Sequence, residues 1–168
     1  PDIARISKSI GDINLFKGDY EKALDYYTES YKIYSIIKPD HLDIAEILKS
    51  IGDVNLYKGD YKIALKKYEE TYVILKKVYG NNVYNADIAG ILKGFADVYF
   101  NESDSKKALE NYEKSRDIYK IIYAKNLNHP DIARILKSIG DINLFKGHYE
   151  KALNNYTESY NIYKIVNA

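Results

Sequence analysis

The chain has 168 residues, of which 46% are hydrophobic, enough for one compact domain or a short repeat array. Its 25 basic and 24 acidic residues leave a formal net charge of +1, which argues against a dedicated nucleic-acid binder, because such a protein needs surplus positive charge to displace counterions from phosphate. With no cysteine, disulfides, thiolate metal sites and cysteine nucleophiles are excluded.

No apolar run reaches the roughly 18 residues that a bilayer span requires, and no signal peptide is visible. The expected location is therefore cytoplasmic, with no membrane partner. The start at Pro1, without an initiator methionine, reads as a piece of something longer.

The first helix is predicted from Ile3, Ile6, Ile10 and Ile13, whose spacing puts them on one helical face. Asp2 can cap its start. Lys17-Gly18-Asp19 ends it, since glycine accepts the left-handed conformation beyond a helix C-terminus, and Asp19 can cap the next helix. This second helix carries Tyr20, Ala23, Leu24, Tyr27, Tyr31 and Tyr34 on one broad stripe. Pro39 should stop it at about Lys38.

The segment IGDINLFKGDYEKAL at 10–24 then returns as IGDVNLYKGDYKIAL at 51–65, as FADVYFNESDSKKAL at 95–109 and as IGDINLFKGHYEKAL at 139–153. Its alanine falls at Ala23, Ala64, Ala108 and Ala152, in steps of 41, 44 and 44 residues. Self-similarity at that period marks a solenoid or array. Residues 1–37 and 130–166 differ at seven positions, leaving 30 identical, which points to recent duplication or to deliberate design. The repeat units expected are 1–42, 43–86, 87–130 and 131–168 of a single array.

Gly11 inside the first helix costs about 1 kcal/mol relative to alanine. Gly52 and Gly140 share its place and Ala96 replaces it once. The expected compensation is close approach of a neighbouring helix, with Ala23, Ala64, Ala108 and Ala152 as the matching small residues. Ser7 stands where other units carry Leu48, Leu92 and Leu136, which reads as a first unit with no predecessor to pack on. Unit three replaces the turn glycine by Ser103 and the turn tyrosine by Ser105, and is expected to be locally the least stable.

The apolar–glycine pair Ile10-Gly11, with Gly18, Tyr20, Ala23, Tyr27 and Ser30 and their equivalents, resembles the tetratricopeptide repeat over nearly the whole chain. The long units and HPDIA-like linkers are most similar to the kinesin-light-chain type. Two departures are Asn14, Asn55 and Asn143, where many such repeats carry tyrosine, and the missing proline after the second helix. The resemblance implies an all-α solenoid, a right-handed superhelix of four helix-turn-helix repeats, acting in protein–protein recognition.

Nothing assembles a catalytic centre, so the chain reads as no enzyme, with no metal and no cofactor. His41, His129 and His148 lie in linkers or a turn without a second ligand at helical spacing. What recurs is a polar line on each first helix. Lys8, Lys49, Lys93 and Lys137 stand four residues before Asp12, Asp53, Asp97 and Asp141, so each pair shares a face.

One and two turns further come Leu15 and Phe16, Leu56 and Tyr57, Phe100, and Leu144 and Phe145. The resemblance implies that this face lines a concave peptide groove, with Arg5 and Arg134 adding positive charge and Glu46 negative charge at its rim. An aspartate beside each lysine repels a terminal carboxylate, so a mixed-charge peptide with an apolar anchor is the ligand class expected. Two alternatives stay open. The lysine and aspartate rows can satisfy each other between neighbouring helices as a solvated ladder. The array can also be a structural spacer that associates head to tail, through Ile6, Ile10 and Ile13 at one end and Tyr156, Tyr160 and Tyr163 at the other.

Overall fold

The computed structural model describes residues 2–37 and 41–167. The described residues form eight α-helices and no strand: α1 (Asp2–Phe16), α2 (Tyr20–Ile37), α3 (Leu42–Lys58), α4 (Tyr61–Tyr79), α5 (Ala86–Asn101), α6 (Ser105–Ile122), α7 (Pro130–Phe145) and α8 (Tyr149–Val166). The chain divides into two compact units, residues 1–81 and 82–168. In the first, α1 packs on α2, α2 on α3 and α3 on α4; the second repeats this with α5 to α8. The expected stop at Lys38 and Pro39 lies outside the described residues.

Local chemistry explains the helix ends. In α3, the Gly59 N–H donates to the Leu56 carbonyl (3.0 Å) and the Asp60 N–H to that of Asn55 (2.8 Å), with Gly59 at φ 82°. This pair of bonds satisfies carbonyls left over by the last turn. The same two bonds close α1, α5 and α7. In α5 the left-handed position falls to Ser103, at φ 64°, the one non-glycine residue with positive φ among those described. An L side chain there costs about 1–2 kcal/mol. Ser103→Gly should therefore raise stability by about 1 kcal/mol, or the melting temperature by about 2–4 °C, measurable by calorimetry; an unchanged or lower melting temperature would show no strain to relieve.

The helix starts bring a correction. Asp2 lies inside α1 rather than before it. At α3 and α7 the capping residues are His41 and His129, whose Nδ1 atoms accept from the backbone N–H groups of Asp43 and Asp131, each at 3.3 Å. Asp19 does cap α2, accepting from the Lys22 N–H (3.4 Å).

Each unit has its own core. In the first, Tyr27 and Tyr34 of α2 pack with Ile44, Ile47, Leu48 and Val54 of α3, with Tyr20, Leu24 and Tyr31 partly buried around them. In the second, Tyr112 and Tyr119 of α6 pack with Ile132, Ile135, Ile139 and Ile142 of α7. The residues on α1 that correspond to the α3 set lie open: Ile3, Ile6 and Ile13 are 67%, 60% and 54% exposed. Ser7 does not mark that open face. It is buried and donates to Glu29 Oε2 of α2 (2.8 Å).

Candidate functional site

The recurring glycines sit under a tyrosine ring, not against an alanine as expected. A Cβ on Gly11 would lie 2.6 Å from the Tyr27 ring, on Gly52 2.5 Å from that of Tyr68, and on Gly140 2.7 Å from that of Tyr156. Ala23, Ala64, Ala108 and Ala152 on the second helices are buried, as is Ala96, which holds the glycine's place in the third repeat. At these three places the missing side chain leaves the room that the ring occupies, which offsets the propensity cost of glycine there. In the third repeat Ala96 stands at the same place and Tyr112 is buried all the same.

The ring then reaches one residue further. Tyr27 Oη donates to Asp12 Oδ1 (2.8 Å), Tyr68 to Asp53 (2.8 Å) and Tyr156 to Asp141 (2.8 Å), and Tyr112 bonds Asp97 in the same way. The second carboxylate oxygen takes the lysine one turn before: Lys8 Nζ to Asp12 Oδ2 at 3.2 Å, Lys49 to Asp53 at 2.7 Å, Lys93 to Asp97 at 2.6 Å and Lys137 to Asp141 at 2.9 Å. The aspartate row is thus bound inside its own hairpin on both oxygens. These lysine–aspartate pairs run along each helix. Other ion pairs join helices: Lys58 to Glu21 between α3 and α2, Lys8 to Glu46 at 3.8 Å between α1 and α3, and Lys120 to Glu158 at 3.9 Å between α6 and α8.

This geometry fixes the protonation of the phenols. Burial, reinforced by the Asp12 and Asp97 carboxylates, raises Tyr27 and Tyr112 well above the ordinary tyrosine range. Burial and then Asp141 push Tyr156 up to about 12.

The remaining candidate residues sort by exposure. Phe16, Tyr57, Leu144 and Phe145 are 92%, 62%, 50% and 69% exposed, while Leu15, Leu56 and Phe100 are half-buried. Tyr57 stacks on Tyr20 of α2 with ring centroids 6.3 Å apart, and Phe100 meets Phe145 edge to face at 6.4 Å. Arg5 pairs with Asp2 and Arg134 with Asp131, each along its own helix. Ser30, Ser115 and Ser159 donate to the carbonyls of Ala4, Ala89 and Ala133 at 2.7–2.8 Å, a second tie per hairpin that the helical periodicity did not reveal. Its signal was present, since a hydroxyl residue recurs at 30, 71, 115 and 159. Among the described residues no group of three histidine or carboxylate side chains could hold a metal ion, and no helix is long and apolar enough to cross a membrane.

Helix pairs of one repeating sequence, each tied by a phenol on a carboxylate and three of them by a ring on a glycine, define a helical-hairpin repeat protein. The tetratricopeptide repeat family model matches residues 2–77 and 87–165. The chain therefore belongs to the tetratricopeptide repeat family. No curated protein sequence matches it.

Solved structures similar to it include BtubC (BKLC) from P. vanneervenii, with a TM-score of 0.83 at 17% identity over 98% of this chain and 65% of that one. Aspartyl phosphate phosphatase F from Bacillus subtilis gives 0.79 at 17% identity, over 98% of this chain and 41% of that one. The Rap conjugation gene regulator of plasmid pLS20, in complex with the Phr* peptide, gives 0.78 at 19% identity, over 92% of this chain and 41% of that one. At these identities the likeness concerns the fold. The chain spans 65% or less of the length of each of these proteins.

Proposed function

We propose that the chain is a protein-interaction scaffold that binds an extended peptide or partner helix on the first-helix faces of its repeats. The observation that carries this reading is the exposure of apolar residues on the first helices within each unit: Phe16 and Tyr57 on α1 and α3 in the first and, by itself, Leu144 and Phe145 on α7 in the second. The similar pLS20 regulator, solved with a peptide, supports the ligand class.

The aspartates now have a different part. Both oxygens of each carboxylate are engaged within the hairpin, so Asp12, Asp53, Asp97 and Asp141 orient the lysines and fix the tyrosines, and the ligand contacts fall to the lysine ammonium groups and the apolar row. A lysine already paired with aspartate presents little net charge. Affinity should therefore come mainly from apolar burial, at roughly 25 cal/mol per Å², with charge setting register.

The test is an array of 12-residue peptides probed with the wild-type chain and with Lys49→Glu/Lys93→Glu. The expected result is a bound subset combining an acidic residue with an aromatic or aliphatic anchor, and at least a tenfold loss in the variant. Melting should fall by less than about 1 kcal/mol per site, the range of exposed pairs. Equal binding by both chains, or none by either, would overturn the reading.

A second reading, an array that joins copies of itself end to end, is favoured by the open isoleucines of α1 and the open tyrosine stripe of α8, where Tyr149 and Tyr160 are 70% and 65% exposed.

A further inference from the structure

Two outer faces of the chain correspond to the two sides of a junction it already contains. In the first unit the stripe Tyr20, Leu24, Tyr27, Tyr31 and Tyr34 of α2 packs on Ile44, Ile47, Ile51 and Val54 of α3. On α8 the same stripe returns as Tyr149, Leu153, Tyr156, Tyr160 and Tyr163, and on α1 the same acceptor set returns as Ile3, Ile6, Ile10 and Ile13. The positions where residues 1–37 and 130–166 differ are 7, 19, 25, 26, 32, 35 and 37 in the first copy. None of them lies in the stripe or in the acceptor set.

The polar contacts of the internal junction are duplicated as well. Lys58 Nζ of α3 donates to Glu21 Oε1 of α2 at 2.5 Å; their counterparts are Lys17 and Glu150. Ser50 of α3 lies against the Tyr27 hydroxyl; its counterpart Ser9 lines a shallow groove of about 420 Å³ on α1 together with Arg5, Ile6, Ile10 and Ile13. Tyr57 stacks on Tyr20, and their counterparts Phe16 and Tyr149 are 92% and 70% exposed.

We infer that the outer face of α8 binds the outer face of α1 of a second copy, in the register of the internal α2–α3 junction: Tyr149 against Phe16, Tyr156 against Ser9, Glu150 against Lys17. The inference rests on the end-to-end reading and goes beyond it by naming the register. Such a contact joins different faces, so each junction leaves one of each kind unused and growth continues. A pair of copies does not saturate it. The isoleucine set and the tyrosine stripe lose apolar surface to each other as they do inside the chain, and the ion pair and the phenol fix which residues meet.

Sedimentation velocity of the full chain tests this. The wild type should show a mass average that rises with concentration past two chains. Ile6→Lys/Ile13→Lys removes one face and Leu153→Lys/Tyr160→Lys the other; all four residues are more than half exposed, so both variants should melt close to wild type. Each alone should be monomeric, and an equimolar mixture should give a dimer and nothing larger, because one competent junction remains.

A wild type that stays monomeric up to millimolar concentration would overturn the end-to-end reading itself. Self-association persisting in one face variant alone, or a mixture that stays monomeric, would overturn the register while leaving association to be explained by like faces. A Phe16→Cys/Tyr149→Cys chain provides a second measurement, since the wild type has no cysteine. A short bis-maleimide should link it into a ladder of covalent oligomers, and a Phe16→Cys/Ile36→Cys chain should give no ladder; equal linking in both would also overturn the register.

Discussion

Replacing Tyr27 by alanine should lower the free energy of unfolding by about 4 kcal/mol, within the range for removing a large aromatic ring from a core. The ring is fully buried. What lies beneath it is Gly11, at a distance no Cβ could occupy. No side chain on α1 is available there to collapse into the space the ring leaves, so little of the loss is recovered by relaxation. Tyr27→Phe keeps the ring and loses only the bond to Asp12, a half-exposed acceptor that water can serve; about 1 kcal/mol is expected.

The pairing of ring and glycine gives a sign reversal that a simple loss of contacts does not. In the wild type, Gly11→Ala forces the Tyr27 ring to shift and should cost about 1 kcal/mol net of the better helix propensity. In the Tyr27→Ala chain the same Gly11→Ala should stabilise by about 1 kcal/mol, because the space is open and alanine is the better helix former. Urea unfolding followed by circular dichroism at 222 nm reads all four chains. Stability of repeat arrays sums over units and their neighbours, so the Tyr27→Ala loss should fall on the first unit and separate its transition from the second. A Tyr27→Ala loss below about 1.5 kcal/mol, or a Gly11→Ala effect of the same sign in both backgrounds, would show that the ring and the glycine are not coupled.

The periodicity of Ile3, Ile6, Ile10 and Ile13, the Lys17-Gly18-Asp19 break and the 41–44-residue repeat were enough to read eight helices in four pairs, because helix length, termination and repetition are local properties of the chain. The partners of the polar rows were not legible in the same way. Spacing places Lys8 and Asp12 on one face, but a carboxylate has two oxygens, and the second is taken by a hydroxyl 15 residues away on another helix. That tyrosine does follow the aspartate at a constant interval in all four repeats, so the signal existed as a spacing between helices; it carries no meaning until the hairpin brings the two together.

Ser7 misleads for a related reason. A polar residue at an apolar position suggests solvent, whereas here the glutamate of the facing helix supplies its acceptor. The histidines of the linkers are the opposite case. Their place in the turns was legible, but capping depends on the backbone angles that bring Nδ1 to the N–H two residues on. In each instance the sequence specified which groups were available, and folding decided which of them met.

Raising the pH should unfold this protein through its phenols. Burial is the larger cause and neighbouring carboxylates the smaller in holding Tyr27 and Tyr112 above the ordinary range, and burial with Asp131 pushes Tyr119 up to about 12. All three are buried. In the unfolded chain a tyrosine loses its proton near pH 10, so from there to about pH 12 the folded state binds more protons than the unfolded one, and stability falls as pH rises. Their contribution is fully present below about pH 10 and is lost as the folded-state values are passed.

Each tyrosine contributes a slope of about 1.4 kcal/mol per pH unit once the unfolded chain is deprotonated, so three together give about 4 kcal/mol per pH unit, enough to exhaust a typical domain stability of about 5–15 kcal/mol within that window. Tyrosinate absorbance at 295 nm should gain the share of the buried rings together with the loss of helix at 222 nm, in one cooperative step. Tyr112→Phe, which removes one of the linked protons, should make the decline shallower by about 1.4 kcal/mol per pH unit. A melting temperature unchanged between pH 8 and 11.5 would mean that these hydroxyls reach solvent, and with that the lock between the two helices of each hairpin would be lost as an explanation for the recurring glycine.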